Sequence, residues 1–386
     1  MSRLQAVTSI SITVLVTLVI AGIAYASTTN WPHPVAGIHP VPPESSPTPS
    51  VTPVFPSPTQ APTGLFVIDQ DLLDGLTAWM LVSDCPLRAN PTCHNAVVRS
   101  DDGRQIWSDP VQVGPEFAVT DGGAPRTIRF LNSRDGFVYG QTSAFVTHDG
   151  GKTWAPWGLQ AVFVGTIALF NTTVWATTYP CAKGTLCAYE VRSSPDGGRT
   201  WSPAFKLPVG FSPEDAVAFK TGVLLSSPTQ AVLEMTTDQG LTWRAIKLPC
   251  AQDAFRTIAT TADGVELWGL CQPFPNASGL VTAESLFVSE DAGKTWSKRN
   301  LGSVIPGWLV LVRPHVALTS SNHATLITHD GGVTWTEVQP HGVDLLTLGF
   351  NATGWAWGLD GDRNLWASTD GGEYWDQIGS LPSRLG

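Results

Sequence analysis

One octapeptide, written seven times, limits what this chain can become. It reads SDDGRQIW at 100–107, THDGGKTW at 147–154, SPDGGRTW at 194–201 and TTDQGLTW at 236–243. It returns as SEDAGKTW at 289–296, THDGGVTW at 328–335 and STDGGEYW at 368–375. Its aspartates are Asp102, Asp149, Asp196, Asp238, Asp291, Asp330 and Asp370, spaced 47, 47, 42, 53, 39 and 40 residues apart. A period of about 40–50 residues belongs to solenoids and propellers, in which one supersecondary unit is repeated.

Within each copy the residues are those of a turn. An Asp carboxylate can accept backbone N–H groups one to three residues on. A Gly two positions later permits positive φ and is replaced by Arg104 in the first copy. The closing Trp is large enough to fill a gap between neighbouring sheets. These aspartates therefore read as structural, and so do seven of the 16 Trp. The first and last copies are degenerate, with Ile106 and Tyr374 in place of Thr, as terminal repeats often are.

A second register lies upstream of each copy. In the second repeat TIRFLN (127–132), DGFVYGQ (135–141), AFVTHD (144–149) and TWAPWGL (153–159) alternate as four short strands, a to d, with the octapeptide turning from c to d. The strand-b aromatic recurs as Trp79, Tyr139, Trp175, Trp268 and Trp357. Seven such units predict an all-β, seven-bladed propeller of four-stranded antiparallel blades over residues 64–386, at about 46 residues per blade. Each blade is contiguous in sequence, from Leu65 in the first to Ile378 in the last. Closure between blades 7 and 1 is accordingly expected from side-chain packing, without an exchanged strand.

The octapeptide resembles the Asp-box, or BNR repeat, and the resemblance covers residues 64–386. Together with strands of the type in TIRFLNSRDGFVYG, the pattern is most similar to the seven-bladed propellers of the photosystem II stability/assembly factor family, and more distantly to sialidase and sortilin-type propellers. The first family acts by binding protein, and the resemblance implies a binding module. The sialidase resemblance implies a glycoside hydrolase with an arginine cluster for a carboxylate, a Tyr nucleophile and an acid/base carboxylate.

Ahead of the repeats lie two other segments. Residues 4–26 carry no charge and follow Arg3, which reads as an N-terminal transmembrane or signal helix over 1–26 with its amino end in the cytoplasm. Ala24 to Ala26 also form an A-x-A site, so secretion after cleavage near Ala26 is the alternative. Residues 27–63 contain 11 Pro among Ser and Thr and read as a disordered stalk. The chain is thus expected at the cell membrane as a single-pass protein with an extracytoplasmic propeller, monomeric and tethered by that helix. A net charge of −10 with 22 Lys plus Arg excludes nucleic acid as a partner. The eight His are dispersed without HxH or HExxH spacing, and neither metal nor cofactor is expected.

Six Cys in an exported chain read as disulfides. Cys85 and Cys93 share the b–c loop of blade 1, and Cys181 and Cys187 that of blade 3. Cys250 follows strand d of blade 4, and Cys271 follows strand b of blade 5. In a meander all these places fall on the face opposite the octapeptides, which gives the pairing 85–93, 181–187 and 250–271. The interval from strand-b aromatic to box Asp is 23, 21 and 23 residues in blades 1, 3 and 5, against 10 and 13 in blades 2 and 7. Long stapled loops on one rim suit a protein or glycan ligand as well as simple reinforcement of exported loops. The ligand-binding candidates are Arg88, Arg126, Tyr179, Lys183, Tyr189, Arg256 and Phe274.

Catalysis is less well supported. Arg126 and Arg256 open inner strands in an RTI setting, with Arg313 in a third, and an Arg fork suits a carboxylate. No FRIP-type segment accompanies them, and none of the five Tyr is suitably placed for a nucleophile. Top-face carboxylates (Asp84, Glu116, Asp121, Glu214, Asp215, Asp253 and Glu284) name no pair for hydrolysis.

Overall fold

The computed structural model describes residues 65–386 apart from 85–92, 104–105, 118–124, 160–162, 181–187, 214, 228–229, 251–252, 274–284, 303, 305, 322, 351–354, 381–383 and 386. For Phe163, 230–231, 253–256, 272–273 and 384–385 the backbone alone is described. The expected N-terminal helix and stalk lie outside the described residues. Among the described residues no helix is long and apolar enough to cross a membrane.

Seven antiparallel sheets follow one another along the chain, each an uninterrupted a-b-c-d meander. The a strands are Leu65–Leu72, Thr127–Phe130, Phe163–Phe170, Asp215–Phe219, Asp253–Thr260, Leu309–Arg313 and Leu345–Phe350. In blade 2 the strands fall at Thr127–Phe130, Gly136–Tyr139, Ala144–Thr147 and Ala155–Pro156, where the alternation places them. The fold is a seven-bladed β-propeller.

No blade encloses a core of its own. The buried residues form seven clusters, each lying between two blades. Trp79, Leu81 and Val97 of blade 1 pack with Ile128, Phe130 and Val138 of blade 2. Leu359, Leu365 and Ile378 of blade 7 pack with Met80, Val82 and Val98 of blade 1, which closes the ring. Each octapeptide Trp faces the preceding blade: Trp154 joins the first of these clusters and Trp107 the second. The strand-b aromatics Trp79, Tyr139, Trp175, Trp268 and Trp357 are all buried.

Packing is not the whole of closure. Residues Arg384–Leu385 form a short strand antiparallel to Leu65–Phe66 and add a fifth strand to blade 1. This corrects the expectation of closure by side chains alone. The free edge of strand a offers unpaired N–H and C=O groups, and two residues beyond the last blade are enough to use them.

The octapeptide turn is wider than expected. In blade 2 the Asp149 carboxylate accepts the Thr153 amide at 2.9 Å and the Thr153 hydroxyl at 2.6 Å, four residues on. It also accepts the Thr147 hydroxyl at 2.8 Å, while Thr147 Oγ1 takes the Gly151 amide at 2.9 Å. The turn spans four residues because two consecutive ones, Gly150 and Gly151, have φ of 81° and 92°. The second glycine has a packing reason as well. A Cβ at the equivalent Gly372 would lie 2.5 Å from Leu318 of the preceding blade.

Candidate functional site

The a–b and c–d turns lie at one end of each blade, so the seven octapeptides share a face. The b–c loops and d–a links lie at the other end and form the rim. The octapeptide carboxylates are taken up by their own turns. The Thr200 hydroxyl and amide hold the Asp196 carboxyl at about 2, and those of Thr334 do the same for Asp330.

Groups not used in such turns meet on the rim of blade 1. The returning limb of the b–c loop is clamped on both sides. Cys93 N donates to Phe117 O at 2.9 Å and Phe117 N to Cys93 O at 3.1 Å. The His94 amide donates to Asp84 Oδ1 at 2.8 Å. The His94 ring then spans two carboxylates, with Nδ1 2.8 Å from Asp84 Oδ2 and Nε2 3.1 Å from Glu116 Oε1. Only the imidazolium can donate from both nitrogens. The hydrogen bond to Asp84 and the charges of Asp84 and Glu116 raise the His94 pKa above its ordinary value. Against a desolvation cost, hydrogen bonds from His94 hold Asp84 below the usual carboxylate range. Of the seven rim carboxylates considered from sequence, the structure thus brings Asp84 and Glu116 together. His94 itself was missed. Its only sequence signal is its place beside Cys93.

On blade 3, Tyr179 and Tyr189 close the two ends of the b–c loop with ring centroids 4.8 Å apart at 46°. Both are half-buried, Tyr189 packs on the cluster between blades 3 and 4, and Ser212 Oγ donates to its hydroxyl at 3.3 Å. On blades 4 and 5 the disulfide Cys250–Cys271 has a Cα separation of 5.6 Å, and both residues are buried in the intervening cluster. Cys93 is also disulfide-bonded. Cys85, Cys181, Cys187, Arg88, Lys183 and Phe274 lie outside the described residues.

The three arginines do not form one cluster. Arg126 is half-buried at the start of the blade 2 inner strand, where its amide donates to Tyr139 O at 2.9 Å. Arg256 sits at a bulge between Phe255 and Thr257, its side chain outside the described set. Arg313 ends its strand on the octapeptide side, 3.4 Å from where a Cβ on Gly371 would be. Tyr139 is buried, and desolvation pushes its hydroxyl up to about 12, the reverse of what a nucleophile needs. Among the described residues no group of three His, Cys, Asp or Glu is placed to hold a metal ion.

The BNR/Asp-box repeat model matches residues 145–156, the second octapeptide with its flanks. That copy of the repeat is an Asp-box. No curated protein matches the chain significantly. Among solved structures, YCF48 bound to D1 peptide is 16% identical, with a TM-score of 0.53 over 78% of this chain and 91% of that one. YCF48 from Cyanidioschyzon merolae is 16% identical over 67% and 87%, with a TM-score of 0.47. A GH74 enzyme from Niastella koreensis is 13% identical over 82% and 65%, with a TM-score of 0.42. At these identities the likeness is one of fold.

Proposed function

We propose that this Asp-box propeller is an extracytoplasmic binding module, tethered by its N-terminal helix, whose ligand is a protein held at the rim of blades 1 and 3. The observation that carries this reading is the His94 bridge between Asp84 and Glu116. It places three ionisable groups, each more than two-fifths exposed, together on a stapled edge. The paired Tyr179 and Tyr189 add aromatic surface of the kind enriched in protein interfaces. A propeller of like fold with a peptide bound, YCF48, is in keeping with this.

Site-specific photo-crosslinking in cells tests it. Full-length chain carrying a photoreactive residue at 116 or 179 should give a discrete protein adduct, and the same residue at Lys294 on the Asp-box face should give none. Equal adducts from all three positions, or none from the rim, would end this reading. Turnover of a sialoside or xyloglucan panel by the purified full chain would replace it with a glycoside hydrolase.

A further inference from the structure

A cleft of about 560 Å³ opens on the Asp-box side between blades 1 and 2. Its floor is an arginine where other blades place smaller or apolar residues. Three residues before the box Asp stand Val146, Met235, Val288 and Ile327 in blades 2, 4, 5 and 6, but Arg99 in blade 1. The Arg99 guanidinium lies 5.2 Å from the centre of the Trp79 ring. Its Nε and Nη2 donate to Asp101 at 2.7–2.9 Å, and Nη1 donates to Ser133 O at 2.9 Å and Gly150 O at 3.2 Å. Held from so many sides, it is a fixed surface.

Two more cations stand over this floor. Arg134, in the a–b turn of blade 2, and Lys152, in its Asp-box, line the cleft and are exposed. Among the described residues neither side chain has a hydrogen bond or ion pair. The lining carboxylates are both engaged, Asp101 by Arg99 and Asp149 by its turn. The three cations therefore exceed the two anions by one charge, on a chain whose net charge is −10. The remaining wall includes Val97 and Val111 and no aromatic ring.

We propose that this cleft binds a carboxylate side chain of an acidic peptide. Arg134 and Lys152 take the carboxylate, and the valines receive its methylene stem. The volume lies within the roughly 300–1,000 Å³ of small-ligand sites, enough for one side chain and its flanking backbone. A sugar acid would share the carboxylate, but the cleft lacks an aromatic face for the ring. This site is on the opposite face from the rim and does not depend on the rim reading.

Isothermal titration of the full chain in mild detergent tests the proposal, with hexaglutamate, hexaglutamine and trigalacturonate as probes. Hexaglutamate should bind, more weakly as salt rises, and hexaglutamine should not. Lys152→Glu and Arg134→Glu should each weaken hexaglutamate at least tenfold, whereas Lys294→Glu, at the matching box position of blade 5, should leave it unchanged. Glu373 already occupies that position in blade 7, so the fold accepts the substitution. No heat from hexaglutamate at millimolar concentration, or equal losses in all three variants, would overturn the site. Preference for trigalacturonate with the same variant losses would overturn the peptide assignment.

Discussion

The Asp71 carboxylate accepts the backbone amide of Phe130 at 2.6 Å across the seam between the inner strands of blades 1 and 2. Two residues earlier on both strands, Asp69 accepts the Ile128 amide at 2.9 Å and Arg129 Nη1 at 2.8 Å. Two carboxylates thus replace the main-chain ladder that separate blades cannot form. Desolvation, opposed by the nearby Arg129, pushes buried Asp71 up to about 6. Its folded pKa lies above the unfolded value, so its contribution is full below about pH 4 and is lost as pH rises through about 6. Asp71→Asn should flatten the pH dependence of urea unfolding between pH 4 and 7 by up to about 3 kcal/mol. An unchanged slope would mean that Asp71 does not titrate there.

The Asp-boxes act with the opposite sign. Asp196 and Asp330 are held at about 2, so their contribution is present above about pH 4 and lost as pH falls toward 2. The propeller should lose stability over that interval, followed by Trp fluorescence. At neutral pH Asp149→Ala should cost about 1–2 kcal/mol in turn hydrogen bonds. Rim crosslinking should be unaffected once the variant is folded.

Box 7 invites repair. Tyr374 stands where five boxes have the Thr whose hydroxyl reaches the Asp, and its side chain is exposed. Among the described residues Asp370 accepts only the Glu373 and Tyr374 amides there, both at 3.1 Å, besides the Ser368 hydroxyl. Tyr374→Thr should restore one hydrogen bond and stabilise the chain by about 0.5–1.5 kcal/mol in thermal unfolding.

The disulfide between blades 4 and 5 spans 21 residues. Replacing Cys250 and Cys271 together by Ala should lower stability by about 3 kcal/mol, as expected for a loop of that length. Calorimetry under non-reducing conditions, compared with the parent chain, measures it directly.

The His94 bridge is reversible within the ordinary pH range. Its raised pKa means that the stabilisation is complete below about 6.5, the unfolded value, and is lost as pH rises through the folded one. Proton NMR should find His94 titrating above the ordinary imidazole value, and Glu116→Gln should bring it down. A His94 pKa that ignores this substitution would show that Glu116 does not face the ring in solution.

The blades were legible because their determinants are local: a turn that closes on its own Asp, and a Trp at the eighth position of the motif. The rim pairing of Cys250 with Cys271 followed from strand order, which fixes the face on which a loop emerges. Other features depend on segments far apart. His94 meets Glu116 only because the link after strand d folds back along the b–c loop. Asp69 and Asp71 look like ordinary strand residues until the neighbouring blade presents its amides. Arg99 gave no signal, since its meaning lies in the apolar residues that occupy its place elsewhere. The strand at Arg384–Leu385 is too short to carry a pattern. Arg126, Arg256 and Arg313 all fall on inner strands by sequence, yet Arg313 belongs to the opposite end of its strand.

Because every core lies between two blades, the first blade is half-covered until the last has been made. Met80, Val82 and Val98 wait for Leu359, Leu365 and Ile378, more than 250 residues later in the chain. A nascent polypeptide that reaches only the sixth repeat therefore presents two raw apolar flanks, one on each terminal blade. Premature stops and late frameshifts should consequently behave as sticky, protease-sensitive species rather than as shorter propellers. The integrity of the molecule is decided in its final 30 residues.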